Sequence, residues 1–246
     1  KYGHETVDDD PALSGGFAEY IYLVPGTSVY RIPGSLDDDS VVFANCSLAT
    51  MSAALRLAEI ARGESVLIQG AGLVGLCATA LSAHIGAKVV TVDVLSERLS
   101  LAEKFGATHT FNALEATPDD FAELQYSVTG TRGFDAAIEV CGQPQVIPEG
   151  IRALRIGGRY IIAGCVYPQA TVEVNLYPII TKLLRVQGLH NYIPADLETA
   201  LEFLKEHGHK FPFDKVVESH FPLKNISSAL EKIKSNPSIL RVALEP

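Results

Sequence analysis

Short apolar runs alternate with segments of helical length between residues 48 and 193. The runs are rich in Val, Ile and Ala, and several of the helical segments end near a glycine, a residue that favours helix termination. Because parallel strands of one sheet need a crossover between them, this alternation predicts an α/β fold with a doubly wound parallel sheet. We predict strands at residues 66–69, 89–92, 108–111, 134–140, 159–163 and 185–189, and helices at residues 48–61, 73–85, 96–105, 118–128, 145–154 and 177–184.

The two ends of the chain have a different pattern. Residues 1–13 are polar and predict a solvated loop, whereas residues 16–24 and 28–32 predict short β-strands that are not stable by themselves. From Pro194 onward we predict a helix, a Phe-Pro-Phe turn, a strand, another helix and a final strand at residues 240–244. We therefore divide the chain into a β-rich remnant (1–47), a sheet domain (48–193) and a C-terminal segment (194–246) that returns to pack with the first.

Three residues are predicted to mark helix ends. Asp37 and the aspartates after it favour the start of a helix, where acidic side chains interact well with the helix dipole. Gly63 is predicted to cap the C-terminus of the helix at 48–61, and Ser96 the N-terminus of the helix that follows it.

The strand at 66–69 leads into the turn Gly70-Ala71-Gly72-Leu73-Val74-Gly75, and the next strand ends at Asp93. This order of strand, glycine turn, helix, strand and acid is typical of a Rossmann dinucleotide-binding unit. The glycines allow a tight turn and a close approach to a diphosphate, which the helix N-terminus attracts. Asp93 would bind the adenosine ribose and repel a 2′-phosphate, which favours NAD over NADP. The candidate cofactor residues are Gly70, Gly72, Leu73, Val74, Gly75 and Asp93.

Two other interpretations of this stretch are less favoured. The unit could be buried and bind nothing. Residues 65–87 contain no charged side chain and could also span a membrane, but their glycines, Gln69 and His84 favour a buried soluble unit.

Composition narrows the functional classes. The 246 residues carry a net charge of −9, which argues against nucleic acid or an anionic membrane as a partner. The four cysteines are far apart and include no CxxC pair, so we expect a reducing, cytoplasmic location. The single methionine is Met51 and the chain opens on Lys1, so we expect part of a longer polypeptide.

Several segments together resemble the medium-chain zinc-dependent alcohol dehydrogenase family without its N-terminal catalytic part. Besides the glycine turn and Asp93, they are GGFAEY (15–20), NCSLAT (45–50), FGATHTFN (105–112) and GGRYIIAG (157–164). Three shorter stretches resemble a branch proposed to be linked to phosphonate catabolism, namely KYGHE (1–5), GLHNY (188–192) and FPFDKVV (211–217).

The resemblance implies hydride transfer from an alcohol to NAD, with zinc holding the alkoxide, and a partial β-rich, GroES-like domain built from the two chain ends. It implies Cys46 as a zinc ligand, Thr50 as a catalytic residue beside the nicotinamide, and Arg98 and Arg241 as cofactor contacts. A catalytic zinc needs three protein ligands, and the family places the others upstream of Lys1. His4 is not assigned as a ligand, because it lies only 42 residues before Cys46.

Each of these residues has a structural alternative. Cys46 could be a small packing residue, and Arg98 and Arg241 could be ordinary surface arginines. His190 and Tyr192, which follow the sixth strand, could face the nicotinamide or be structural.

The leading hypothesis is an NAD-dependent alcohol dehydrogenase fragment, which acts on an alcohol such as a hydroxyalkyl phosphonate or a polyol. The alternatives are an NAD-binding module without chemistry and a zinc-free quinone reductase of the same superfamily. We expect no nucleic-acid or membrane partner, and a homodimer or homotetramer.

Overall fold

The computed structural model describes residues 15–246, so the polar segment 1–13 and His4 lie outside the described residues. Its centre is a six-stranded sheet in which every neighbouring pair is parallel. The strand order is β3-β2-β1-β4-β5-β6. The strands are β1 (Ser65–Gln69), β2 (Lys88–Asp93), β3 (His109–Asn112), β4 (Phe134–Glu139), β5 (Leu154–Ile162) and β6 (Arg185–Gly188).

Helices cover both faces of this sheet. The helices of residues 15–246 are α1 (Asp38–Val41), α2 (Ala49–Ala58), α3 (Leu73–Ile85), α4 (Ser96–Lys104), α5 (Pro118–Thr129), α6 (Ile147–Ala153), α7 (Leu176–Thr181), α8 (Pro194–His207) and α9 (Ile226–Ser235). Helix α9 packs on a second, smaller sheet, and α1 packs on α8. Successive side chains of a strand point to opposite faces. In β1, Val66 and Ile68 accordingly pack with α2, α3 and α8, whereas Leu67 packs with α5 and α6. The predicted doubly wound α/β fold is confirmed.

The C-terminal segment forms a second, two-stranded parallel sheet from β7 (Val217–Pro222) and β8 (Arg241–Glu245). This sheet and residues 16–18 and 42–43 line one pocket, so the two ends of the described chain lie together. The predicted division of the chain at residues 47 and 193 stays a prediction.

The predicted strands at 16–24 and 28–32 are wrong. Residues 15–37 contain no strand, and their apolar side chains are largely exposed, Tyr20 at 90%. A strand is stable only when a neighbour satisfies its backbone groups. No strand of the described residues pairs with this segment. Its residues favour β structure, but this preference alone does not form a strand without a neighbouring strand.

Two predicted helix caps are also wrong. Helix α2 ends at Ala58 rather than near Gly63, and Glu59 caps it with a left-handed φ of 51°. The buried Arg159 guanidinium donates to the carbonyls of Ala58 (2.7 Å) and Glu59 (3.2 Å), which holds the helix end there. A distant side chain therefore sets this helix end.

The N-cap of α4 is Leu95 rather than Ser96. Leu95 N–H donates to the Asp93 carboxylate at 3.0 Å, whereas Ser96 Oγ contacts Asn112 and Glu115. The preceding acid therefore supports the entry to this helix. The predicted helix start at Asp37 is confirmed, because its carboxylate accepts the Ser40 N–H at 2.8 Å.

One helical stretch of the described chain, Asp38–Ala58, is long and apolar enough to cross a membrane. It includes a π-helical turn at Ala44–Leu48 that runs into α2. Two-thirds of its most apolar window is buried inside the protein, as expected for a core helix. The stretch is therefore only weak evidence for a membrane span.

His220 in β7 joins the two ends of the described chain. Its Nε2 lies 3.0 Å from an Asp39 oxygen in α1, and its Nδ1 lies 2.8 Å from a Glu245 oxygen in β8. Hydrogen bonds to these carboxylates raise the pKa of His220 above its usual 6.5. The charged imidazole is therefore favoured by the folded state.

Replacing His220 with alanine should lower the thermal stability most in mildly acidic buffer. Because the folded pKa is raised, the stabilisation is complete below the unfolded pKa near 6.5 and is lost as the pH rises through the folded value. The difference in Tm between wild type and His220→Ala, followed by circular dichroism, should shrink as the pH increases. His209→Ala is the matched exposed control, and a gap that does not change with pH would contradict this role.

Candidate cofactor-binding site

A crevice of about 310 Å³ opens at the carboxyl ends of β1, β2 and β4. Strand order reverses between β1 and β4, and open α/β sheets bind their ligands at such a switch point. The lining residues on which the following argument depends are Gln69, Gly70, Gly72, Asp93, Arg98 and Cys141.

The glycine turn is shaped by close backbone contacts. Gly70 has a φ of +115°, and a Cβ there would lie 2.9 Å from the backbone nitrogen of Cys141. A Cβ on Gly75 would lie 1.8 Å from the Gly70 carbonyl oxygen. The first turn of α3 can pack against the end of β1 only because both positions lack a side chain.

Gly72 is the N-cap of α3, and α3 has no side-chain cap. A Cβ at Gly72 would have only the Arg98 guanidinium within 4 Å, at 3.8 Å. The first backbone N–H groups of a helix, here those of Leu73 and Val74, are not used within the helix and favour an anion. The turn therefore has the space and the donors that a diphosphate requires.

Asp93 lines the same crevice at the end of β2. One carboxylate oxygen accepts the Ala71 N–H at 2.6 Å, and the other accepts the N–H groups of Val94 (2.8 Å) and Leu95 (3.0 Å). These three bonds fix the carboxylate beside the glycine turn. The oxygen that accepts the Ala71 N–H retains the capacity to accept a further hydrogen bond from a ribose hydroxyl.

Arg98 extends from α4 to the rim of the crevice. One terminal nitrogen donates to the Pro237 carbonyl at 2.5 Å, and another lies near Gly72. Its Nε is buried and has no hydrogen-bond partner among the described residues. The guanidinium therefore places positive charge next to the N-terminus of α3.

Cys46 lies in the π-helical turn that precedes α2, and its side chain is exposed. The Thr50 hydroxyl donates to the Cys46 carbonyl at 2.6 Å, and the Tyr192 hydroxyl donates to the Asn45 carbonyl. Burial and the nearby Cys46 raise the pKa of Tyr192. The structure thus brings Cys46, Thr50 and Tyr192 together, and a role of His190 at the nicotinamide stays a prediction.

Residues 15–246 contain no group of three His, Cys, Asp or Glu side chains that could hold a metal ion. A catalytic zinc requires three protein ligands. The donors present in this part of the chain therefore do not fit a zinc site by themselves. Cys46 as one ligand stays a prediction.

Arg241 is the first residue of β8. It lines a pocket of about 320 Å³ with Phe17, Phe43 and Leu223, and its guanidinium donates to the Leu240 carbonyl at 3.1 Å. The charge of Arg241 also acts on the Cys77 thiol in α3. Its contact with a cofactor phosphate stays a prediction.

Sequence reasoning missed the wall of the crevice that follows β4. Cys141 lies there, and Gln69 is held by the Tyr160 hydroxyl at 2.6 Å. The sequence did contain a signal for this wall. Strand β4 pairs with β1 on the side opposite to β2, so the residues that follow β4 lie at the switch point of the sheet. Without the strand order, that signal could not be used.

A Gly75→Ala substitution should destabilise the fold by about 1–3 kcal/mol, the usual range for overpacking in a closely packed site. The added methyl would overlap the Gly70 carbonyl, so α3 would have to move away from β1. Urea unfolding measures the change. Gly188→Ala is the control, because a Cβ there has no neighbour within 4 Å, and equal stability of the two variants would contradict this account of the turn.

Comparison with known proteins agrees with the fold. The family model for zinc-binding dehydrogenases matches residues 74–206, just over half of the chain. The 5-exo-hydroxycamphor dehydrogenase of Pseudomonas putida is 26% identical over 92% of this chain and 63% of its own length. The L-threonine 3-dehydrogenase of Burkholderia vietnamiensis is 36% identical over 72% of this chain and 49% of its own length.

An alcohol dehydrogenase from Thermotoga maritima superposes over 100% of this chain and 67% of its own, with a TM-score of 0.90 and 30% identity. The chain spans about half of the length of one curated relative described above and 63% of the other. The agreement of family model, sequence and structure leads to one conclusion. This chain belongs to the zinc-binding dehydrogenase family.

Proposed function

We propose that the chain is the cofactor-binding and C-terminal part of an oxidoreductase that transfers a hydride from an alcohol to NAD. The observation that carries the proposal is the Asp93 carboxylate, fixed beside the glycine turn and directed into the crevice. NAD, when bound, supplies the nicotinamide that accepts the hydride. The alcohol substrate is supported by relatives named as dehydrogenases of threonine and of hydroxycamphor.

Each part of the crevice has a role in this proposal. The N-terminus of α3 and the space at Gly72 receive the diphosphate. Asp93 accepts hydrogen bonds from the adenosine ribose. It disfavours a 2′-phosphate, because the two negative charges repel each other and the carboxylate has no hydrogen to donate to the phosphate. Arg98 adds positive charge at the rim.

The remaining parts of the proposal come from the resemblance. A hydroxyalkyl phosphonate or a polyol stays the proposed substrate class, and the cytoplasm the proposed location. Cys46 is proposed as one zinc ligand of the whole protein and Thr50 as its neighbour at the reacting end of the cofactor. We derive no step through zinc, because the described residues do not complete its ligand set.

We also propose that the protein is a homodimer or a homotetramer. Strand β6 is at the edge of the sheet, and all four of its residues are exposed. Apolar side chains beside it are also exposed, Tyr177 at 71%, Ile180 at 68% and Leu183 at 73%. An exposed edge strand next to an apolar surface can pair with the same strand of a second copy.

Asp93→Ser should weaken NADH binding by about 10- to 100-fold, the equivalent of one hydrogen bond to a charged group. It should also reduce the preference for NADH over NADPH, since the repulsive charge is gone. Fluorescence titration with both cofactors measures the two dissociation constants. Asp119→Ser, at an exposed position of α5, is the control, and an unchanged NADH/NADPH ratio in Asp93→Ser would contradict the proposed role.

Val186→Lys in β6 should shift the protein toward monomers, because a lysine on an edge strand opposes strand pairing. Analytical ultracentrifugation at several protein concentrations measures the distribution of species. Leu114→Lys replaces another exposed apolar residue, at 77% exposure, away from the sheet edge. A monomeric wild type, or a variant with the same association constant as wild type, rejects this interface.

A further inference from the structure

Glu139 is an acidic residue with no exposed surface. It is the last residue of β4, and no Lys, Arg or His of residues 15–246 forms an ion pair with it. Burying a carboxylate is unfavourable unless hydrogen bonds compensate for the lost water. Its partners therefore indicate what this side chain does.

Two backbone donors from two loops hold the carboxylate. The Gly142 N–H, in the loop after β4, donates to one oxygen at 2.7 Å, and the Gly164 N–H, in the loop after β5, donates to the other at 3.0 Å. The Cys141 and Cys165 thiols lie close enough to the carboxylate for its charge to act on them. The Glu139 carbonyl also accepts the N–H groups of Ala163 (2.9 Å) and Gly164 (3.1 Å). The carboxylate thus ties the loop after β4 to the loop after β5.

The two thiols are suited to act as donors. Burial and the charge of Glu139 raise the pKa of Cys165 to about 11. The same two effects raise the pKa of Cys141 to about 12. Both sulfur atoms therefore keep their protons at neutral pH, and each can donate to the carboxylate.

The two loops also touch each other. A Cβ on Gly164 would lie 2.5 Å from the Gly142 nitrogen and 2.6 Å from a Glu139 carboxylate oxygen. Cys141 is in turn the residue whose backbone meets the glycine turn at Gly70. The wall of the crevice is therefore linked through Cys141 to the buried carboxylate.

We propose that Glu139 is a positioning residue for the cofactor, because it holds the loops after β4 and β5 in the place where they form the crevice wall facing the glycine turn. The proposal rests on the proposed function, since it assumes that the crevice binds NAD. Glu139 does not line the crevice and acts through Cys141.

Glutamine at this position keeps the shape of the side chain but replaces one acceptor oxygen with a donor NH₂ group. That group would face an N–H or S–H donor, so at least one of the loops would have to move. We expect Glu139→Gln to weaken NADH binding about tenfold, which corresponds to about 1.4 kcal/mol. Glu123→Gln, at an exposed position of α5, is the matched control and should bind NADH as wild type does.

A second measurement separates this role from a general loss of stability. Alkylation of Cys141 and Cys165 by iodoacetamide, followed peptide by peptide by mass spectrometry, reports the pH at which each thiolate forms. Loss of the neighbouring charge should move both profiles to lower pH by about one unit in Glu139→Gln. A variant that is only less stable would react faster at every pH because unfolded molecules expose both thiols. The pH at which each thiolate forms in the folded molecules would not change.

If Glu139→Gln does not fold, the Cys165 pair of variants tests the same contact. Cys165→Ala removes one donor to the carboxylate and should weaken NADH binding about threefold, whereas Cys165→Ser keeps a donor and should restore it. Cys165 is not part of the crevice lining, so a change of NADH affinity on its replacement does not come from a lost lining contact.

The outcomes distinguish the two proposals. If wild type binds no NADH, the proposed function fails and the positioning role fails with it. If wild type binds NADH, and a folded Glu139→Gln binds it equally with unchanged thiol profiles, only the positioning role is overturned. Equal affinities of Cys165→Ala and Cys165→Ser also overturn it.

Discussion

The close approach of helix α3 to the end of strand β1 is the constraint on which the site depends. The contact between Gly75 and the Gly70 carbonyl leaves no room for a Cβ, so the sequence of the turn determines how near the helix can come. This approach directs the N-terminus of α3 into the crevice. It also places the Ala71 N–H where the Asp93 carboxylate can accept it. The space for a diphosphate, the direction of the α3 dipole and the position of the Asp93 carboxylate are thus all consequences of one packing contact.

Two carboxylates hold the crevice from its two sides, and both are compensated by hydrogen-bond donors of nearby loops rather than by a basic side chain. Asp93 binds the glycine turn and the entry to α4, and Glu139 binds the loops after β4 and β5. Because all these bonds are made within the chain, the chain itself fixes the walls of the crevice. Preorganisation of this kind reduces the free-energy cost of ordering the site when a ligand binds.

The central sheet could be predicted from the sequence because each strand and helix carries its own local pattern. The glycine turn and Asp93 could also be predicted, because both belong to one continuous stretch of strand, turn, helix and strand with a typical spacing. Features set by distant contacts could not be predicted. The end of α2 depends on Arg159, about a hundred residues later. The exposed segment 15–37 has a composition typical of strands, but no strand of residues 15–246 pairs with it. The roles of Cys141 in the crevice wall and of Glu139 between two loops depend on β1, β4 and β5 being neighbours in the sheet, which the sequence does not show.

The position of Cys46 relative to the crevice follows from contacts on the other side of the molecule. Arg56 in α2 forms a bidentate pair with the nearly buried Asp196 in α8, at 2.8 and 2.9 Å. Tyr192, just before α8, donates to the carbonyl of Asn45. Helix α2 and the π-helical turn before it are therefore attached to the segment that follows β6, which is itself paired to β5. Cys46 and Thr50 are held by the same sheet that forms the crevice. In the proposed function, a reacting group held by Cys46 and Thr50 would therefore keep a constant distance from a cofactor bound at Asp93, which is what hydride transfer between two bound partners requires.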